Sequence, residues 1–502
     1  MASHYDTRLP PELQELADTL AQKARTAGLD FFPTIFELVD YKQLYEIAAY
    51  GGFPTRYPHW RFGMEYEQLS KSYTYGLSVI YEMVINNNPC YAYLLRANNM
   101  VDQKTVIAHV YGHCDFFKNN YWFSKTNRKM LDQMANHATT VRELIEDVGH
   151  DEVEAFIDCC LSLENLIDIF APFNVPTKKG REEPSNDSGS YRPKPVAKMP
   201  SKNYMDSYIN PSDFLEAQKK KQKEQEERQK SFPERPERDV LGFLAQNAGL
   251  NGWERKILDI VRDEAYYFAP QGQTKILNEG WATYWHSLMM TRLAPLSESE
   301  IIDYCDHYAG IVSMAGGRLN PYKIGIELLR HIERRWDRGQ FGLEYLNCDD
   351  PKHRSEWNTQ AGLGKKKIFE VRAIHNDITF IDEFFDEDFC NETRLFAVDQ
   401  DKRNNRYFIS SRDFKEVKSR LLKQLTNFGN PIINVIDGNF KNRSELLLQH
   451  IHEGVDLKSD FAMETLKNLF RVWKRPVHLL TVLEDTPKRV SFDGQSMQVE
   501  KA

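Results

Sequence analysis

Two histidines and a distant glutamate offer the clearest chemistry in this chain: His109 and His113 in VIAHVYGHCDFF, and Glu279 in ILNEGWATYWH. A step of four residues turns an α-helix by about 400°, so both imidazoles leave one face and can share an ion. A carboxylate from a second helix would complete a metal site with a position left open for water or substrate. Such a set suits zinc, and it would also serve iron(II) or manganese. His286 lies two helical turns after Glu279 and so on the same face, where it could be a fourth ligand or could orient the others.

Hydrolysis at such a centre needs a base for the proton of the attacking water. The zinc-protease pattern HExxH places that glutamate directly after the first histidine, where this chain has Val110. A positioned base contributes about 10² to 10⁴ in rate, so another group would have to take over. The candidates are Glu65 and Glu67 in RFGMEYEQ, Asp115 just past the histidines, and Glu164 with Asp168 in SLENLID. Glu164 and Asp168 are expected to share a helix face, and Glu65 and Glu164 are taken as the leading catalytic carboxylates. Tyr308, Tyr322 and Tyr345 are candidates to stabilise an oxyanion. The competing structural reading is that His109 and His113 are packed core histidines.

The elements that must position these groups are mostly helical. Apolar residues recur at three and four positions from the start to Phe173, as in MEYEQLSKSYTYGLSVIYEMVINN and VEAFIDCCLSLENLIDIFA. A segment dense in Tyr, Trp, Gly and Pro, DYKQLYEIAAYGGFPTRYPHWRFG, is expected as an ordered loop carrying aromatic side chains. Residues 174–238 are poor in apolar side chains and rich in Pro, Ser, Lys and Glu, which predicts a flexible charged linker. Helical spacing resumes over 239–350, the segment that must close onto the first block if Glu279 is to meet the histidines. Residues 351–502 alternate short strands and helices and are expected to form a mixed α/β domain. The fold class is therefore α+β: a mostly helical core followed by a small C-terminal α/β domain.

With 502 residues, 41% hydrophobic and 12% aromatic, the chain can bury a sizeable core. A net charge of -8 with no basic stripe argues against nucleic acid as a partner. No apolar run approaches the length of a membrane span, and the first residues lack the pattern of a signal peptide. Seven cysteines without a CxxC pair fit reduced thiols, and a cytoplasmic location is expected.

VIAHVYGHCDFF resembles the first metal helix of the gluzincin aminopeptidases, VIAHExxHxWF, and LNEGWATY resembles their third-ligand motif, NEGFAxY. Gly63-Met64-Glu65 is faintly similar to their substrate-amine motif GxMEN, with Tyr66 in place of the Asn. The resemblance implies a gluzincin-like core and zinc as the cofactor.

A broader resemblance runs along nearly the whole chain, through GLDFFPTIFELVDY, EIAAYGGFPTRYPHWRFGMEYEQLSKSYTYGL, YEMVINNNPCYAYLLRAN, VIAHVYGHCDFFKNN, CLSLENLID, ILNEGWATYWH and INVIDGNFKNRSELLLQHIHEGVDL. On these blocks the chain is identified as a member of the stage V sporulation protein R family, SpoVR. That membership implies a link to spore cortex formation, and partnership with a PrkA-type serine kinase and a von Willebrand factor A-like protein. It brings no settled reaction. Val110 fits the family pattern, which makes its position a retained feature. The expectations are an atypical metal-dependent hydrolase of peptide or cell-wall-derived amide bonds, or a non-catalytic regulator or scaffold acting with those partners.

Overall fold

The segments TIFELV and CYAYLL, rich in β-branched and aromatic residues, pair side by side as parallel strands, and EMVI adds an antiparallel edge. A computed structural model describes residues 7–74, 82–174, 232–294, 296–313, 319–401 and 406–501, with four isolated positions between 175 and 231. Of the expected linker, 174–238, the described residues are Asn174, the four isolated positions and 232–238, where Glu237 bridges to Val435. In chain order the elements are α1 (Pro11–Thr26), β1 (Thr34–Val39), α2 (Tyr41–Ala49), α3 (Trp60–Thr74), β2 (Glu82–Ile85), β3 (Cys90–Leu95), α4 (Met100–Asn119), α5 (Met130–Val148) and α6 (His150–Leu161). There follow α7 (Val240–Asn247), α8 (Gly252–Gln273), α9 (Lys275–Leu288), α10 (Glu298–Ile311), α11 (Pro321–Asp337), α12 (Gly342–Leu346), α13 (Pro351–Glu356), α14 (Gly364–Ile374), α15 (Asp377–Phe384) and α16 (Glu387–Thr393). The chain ends with β4 (Ala397–Asp401), β5 (Arg406–Ser411), α17 (Phe414–Leu425), β6 (Ile432–Phe440), β7 (Glu445–Ile451), α18 (Ser459–Trp473), β8 (Val477–Leu483), β9 (Thr486–Phe492) and β10 (Met497–Lys501).

These elements gather into two compact units, one of residues 1–154 with 266–430, the other of residues 155–265 with 431–502. In the first unit, the sheet order is β1-β3-β2. The register sets Phe36 beside Ala92 and Leu38 beside Leu94, while Glu82 and Val84 of the edge strand oppose Leu94 and Ala92. Phe36, Leu38, Cys90, Ala92 and Leu94 join the core that also holds Val106, Val110 and Cys114 of α4. Val39, Ile85, Tyr93 and Leu95 pack into a second cluster with Leu44 and Ile47 of α2.

This sheet is not among the elements expected in the mostly helical N-terminal block. The apolar residues of IYEMVI satisfy helical and strand spacing equally, and periodicity cannot choose between them in so short a run. Within the segment expected as one helix, the described residues are the end of α3, to Thr74, and the strand β2 from Glu82 to Ile85. The aromatic segment is likewise more regular than expected, because Asp40 caps α2 with a reciprocal Gln43 contact and a tight turn at Gly51 and Gly52 leads on toward α3. KKIFEVRAIH, expected to open the β/α region, is the helix α14.

The second unit carries a five-stranded sheet of order β10-β9-β8-β7-β6. It is mixed, as expected: β7 and β8 run parallel across α18 and the remaining pairs are antiparallel. α18 buries Leu466, Leu469, Val472 and Trp473. Among the described residues, no helix is long and apolar enough to cross a membrane. The α+β class holds, with a helical majority and a small C-terminal sheet.

Candidate metal centre

α4 is buried on every side from Thr105 to Phe117, the mark of a helix surrounded by protein. Asn99 opens it, its side-chain oxygen accepting from Asp102 N at 2.8 Å. α9 crosses it at a glycine: a Cβ on Gly112 would stand 2.7 Å from Ala282 Cα. On its other side α9 meets α11 glycine to glycine, since a Cβ on Gly280 would come within 2.4 Å of Gly325 backbone atoms. Gly112 lies between the two histidines and Gly280 follows Glu279, so the close crossings fall where the functional side chains are.

Other contacts fix the rotation of α9. The buried Asp377 carboxylate, from the first turn of α15, accepts from Ile276 N at 2.8 Å and Leu277 N at 2.9 Å, satisfying two amides of the first turn. Trp281, fully buried, donates its indole N–H to Asp115 at 2.9 Å. Asp115 is also paired with Arg372 at 3.1 Å and accepts from Asp30 N. Its four partners make Asp115 a brace between α4, α9 and α14, which corrects its standing as a candidate base.

Across the α4–α9 contact the three expected ligands meet. His113 Nε2 lies 3.0 Å from His109 Nε2, and Glu279 Oε2 lies 3.4 Å from the former and 3.5 Å from the latter. Bonds of 2.0–2.1 Å to a tetrahedral ion imply ligand-to-ligand edges of about 3.3 Å, which this triangle matches. Glu279 Oε2 is buried and makes no hydrogen bond of ordinary geometry. Two imidazole nitrogens and a carboxylate oxygen without an ordinary hydrogen bond lie close enough together to hold a divalent cation.

The outer ring nitrogens are held as a metal site needs them. The Asn278 side-chain oxygen can only accept, so His113 Nδ1 donates to it at 2.9 Å, and a neutral His113 then has its lone pair on the inward Nε2. His109 Nδ1 meets His286 Nδ1 at 3.1 Å. With His109 Nε2 free to bind an ion, its Nδ1–H donates and His286 carries its proton on Nε2, which is buried without a partner. His286 therefore stands behind His109 as a positioning group, not as a fourth ligand.

Electrostatics follows burial and pairing. Burial pushes His109 and His286 down, His286 well below the ordinary histidine range. Burial also opposes charge on His113, but Glu279, with help from Asn278 and Glu82, more than offsets it and the net direction is up. Burial would raise Glu279, yet the two histidines hold it far below the usual carboxylate range.

Two further groups act on the triangle. Tyr322, in the first turn of α11, stacks its ring on His109 at 6.2 Å and directs its hydroxyl toward Glu279; burial, Glu279 and Glu82 together raise it. It alone of the three candidate tyrosines is placed here. Glu82, at the start of β2, interacts electrostatically with His113, Glu279 and Tyr322. Burial lifts its carboxyl to about 7, with His113 drawing it down and Glu279 pushing it up. Sequence reasoning passed over Glu82, although a lone carboxylate inside the apolar run IYEMVI was a signal.

The other expected residues are not in the group of His109, His113 and Glu279. Glu65 sits on α3 in an ion pair with Arg61 at 3.0 Å, and Glu67 pairs with Lys71. Glu164 and Asp168 belong to the second unit and lie past the end of α6, so they do not share the helix face expected of them. Val110 is fully buried in the core beside the sheet and offers no proton acceptor.

Two histidines from one helix and a glutamate from another, with oriented outer nitrogens, define a candidate mononuclear metal centre in a helical unit. Residues 8–430 match the family model described as SpoVR like protein and residues 431–484 match the SpoVR-like C-terminal domain; the chain belongs to the SpoVR-like family. It is similar to "Uncharacterized protein YcgB" of Escherichia coli (strain K12), 28% identical over 486 residues that cover 92% of this chain and 90% of that protein. No solved structure matches the chain, so the gluzincin likeness rests on the two motifs.

Proposed function

We propose that this chain is a metal-dependent hydrolase of peptide or cell-wall-derived amide bonds, holding one divalent ion, zinc by preference, through His109, His113 and Glu279. The observation that carries this reading is the triangle of His109 Nε2, His113 Nε2 and Glu279 Oε2, with edges of 3.0 to 3.5 Å. A zinc ion there would supply Lewis acidity to a carbonyl oxygen and to water. Asn278 and His286 hold the outer ring nitrogens, so that the inner pair would be aimed at the ion, and Tyr322 offers a hydroxyl toward the oxygen of a bound carbonyl. Glu65 and Glu164, the carboxylates favoured from the sequence, give way in this reading to groups that act on the triangle.

A second reading has one observation in its favour, the burial of Val110 where HExxH enzymes have their base. In it the ion stabilises a regulatory or scaffold protein that acts with a PrkA-type kinase and a von Willebrand factor A-like protein. Amide release from a panel of peptides and peptidoglycan stem peptides separates the two. The hydrolase reading expects cleavage that 1,10-phenanthroline abolishes and added zinc restores. Absence of cleavage by zinc-loaded protein across the panel, with pull-down of the two partners, would support the scaffold.

A further inference from the structure

The edge strand β2 carries one carboxylate, Glu82, on the face of its sheet that packs on the metal helix. Glu82 opposes Leu94, and in a pleated pair the residues on that face are Val84, Ala92, Cys90 and Leu94. Ala92, Cys90 and Leu94 share a core with Val106, Val110 and Cys114, so this is the face that packs on α4. Glu82 is thereby carried to the α4 side of the sheet at the strand's first residue, where it retains partial solvent exposure. From there its charge acts on His113, Glu279 and Tyr322. Glu82 makes none of the ion pairs found among the described residues, whereas Asp115, Glu65 and Glu67 are each committed to a cation.

We propose that Glu82 is the base of this centre, acting from the neighbouring edge strand in place of the glutamate that Val110 replaces on the helix. This rests on the hydrolytic reading of the metal site. The attacking water would give one proton to the Glu82 carboxylate as its oxygen bonds to the carbonyl carbon. That proton then passes to the leaving nitrogen as the C–N bond breaks, giving an amine and a carboxylic acid and restoring Glu82. A base on a strand can face the open side of the ion without perturbing the helix that carries the ligands, which accounts for an apolar, fully buried Val110.

The test uses the full-length chain loaded with cobalt(II), whose visible spectrum reports the ligands directly, and acetohydroxamate as the probe. Acetohydroxamate chelates through its two oxygens and offers a proton to a base beside the ion. Glu82→Gln should bind cobalt as wild type does, which also shows that the variant is folded. Its acetohydroxamate affinity should fall by about tenfold or more, the loss of a charge-assisted hydrogen bond. Glu82→Asp should recover part of that loss. Unchanged acetohydroxamate binding in Glu82→Gln overturns the assignment while leaving the metal site standing. A cobalt affinity that falls as far as in Glu279→Gln makes Glu82 a ligand and overturns it too. A wild type that holds no cobalt removes the metal reading and the base together.

Discussion

Gly112 of α4 packs against Ala282 of α9 so closely that a Cβ on the glycine would stand 2.7 Å from the alanine's Cα. That crossing, one residue before His113 and three after Glu279, sets the distance across which ligands from two helices converge. The contact of Gly280 with Gly325 does the same on the far side of α9, and there a methyl group would meet backbone that cannot swing away. Gly280→Ala is expected to destabilise the fold by about 1 to 3 kcal/mol through overpacking. It should also weaken zinc binding, because α9 is pushed off its register with α4. Denaturant unfolding alongside a zinc competition titration checks both; a variant with wild-type values in each would show that the crossing does not position the site.

Asp377 is the second device that positions α9. Removing its carboxylate in Asp377→Ala leaves the amides of Ile276 and Leu277 buried without acceptors, at a cost of about 2 to 4 kcal/mol. Burial raises this carboxyl from 3.8 to about 7, with the two amides pulling it back and Glu279 adding to the rise. The folded state therefore binds this proton more tightly than the unfolded state does. The sign is that of a raised acid: stability falls as pH rises from about 4 to about 7. Asp377→Asn should flatten that part of the metal-free protein's stability profile in urea unfolding. A profile as steep as wild type would contradict the assignment.

The groups behind the ligands give a third prediction. Asn278 holds His113, and His286 holds His109. Asn278→Ala and His286→Phe should each lower zinc affinity by about ten- to hundredfold without abolishing it. Competition against a zinc-responsive dye measures this. If both variants bind zinc as wild type does, the inner nitrogens are not set by these contacts.

How much of this was readable beforehand depended on the range of the signal. His109 with His113 is a local pattern on one helix, and NEGWA carried Glu279 with its neighbours Asn278 and Gly280. The helix spacing behind both motifs was strong enough to place them on α4 and α9. The sheet was missed because IYEMVI and CYAYLL fit either period, and with it went Glu82. The burial of Asp115 by Arg372 and Trp281 joins residues far apart in the chain, so nothing near Asp115 could announce it. Glu164 and Asp168 were misjudged more simply: α6 stops at Leu161, and their four-residue spacing then has no helix to act through.

Proton release on metal binding gives a further prediction. In the metal-free protein Glu279, against the opposing effect of burial, keeps His113 protonated above the ordinary histidine range. An ion needs that nitrogen neutral, so affinity is full above the His113 pKa and falls as pH drops through it. Calorimetric titration with zinc in buffers of different ionisation enthalpy should show about one proton released per ion in the range where His113 is charged. Binding that releases none, or that strengthens as pH falls, would contradict this.

The central claim is that His109, His113 and Glu279 hold one divalent ion. Metal content after zinc reconstitution and desalting tests it most directly, comparing wild type with the His109→Ala/His113→Ala double variant. The account predicts about one zinc per wild-type chain and almost none in the double variant. Equal zinc in the two proteins, or none in either, would contradict it.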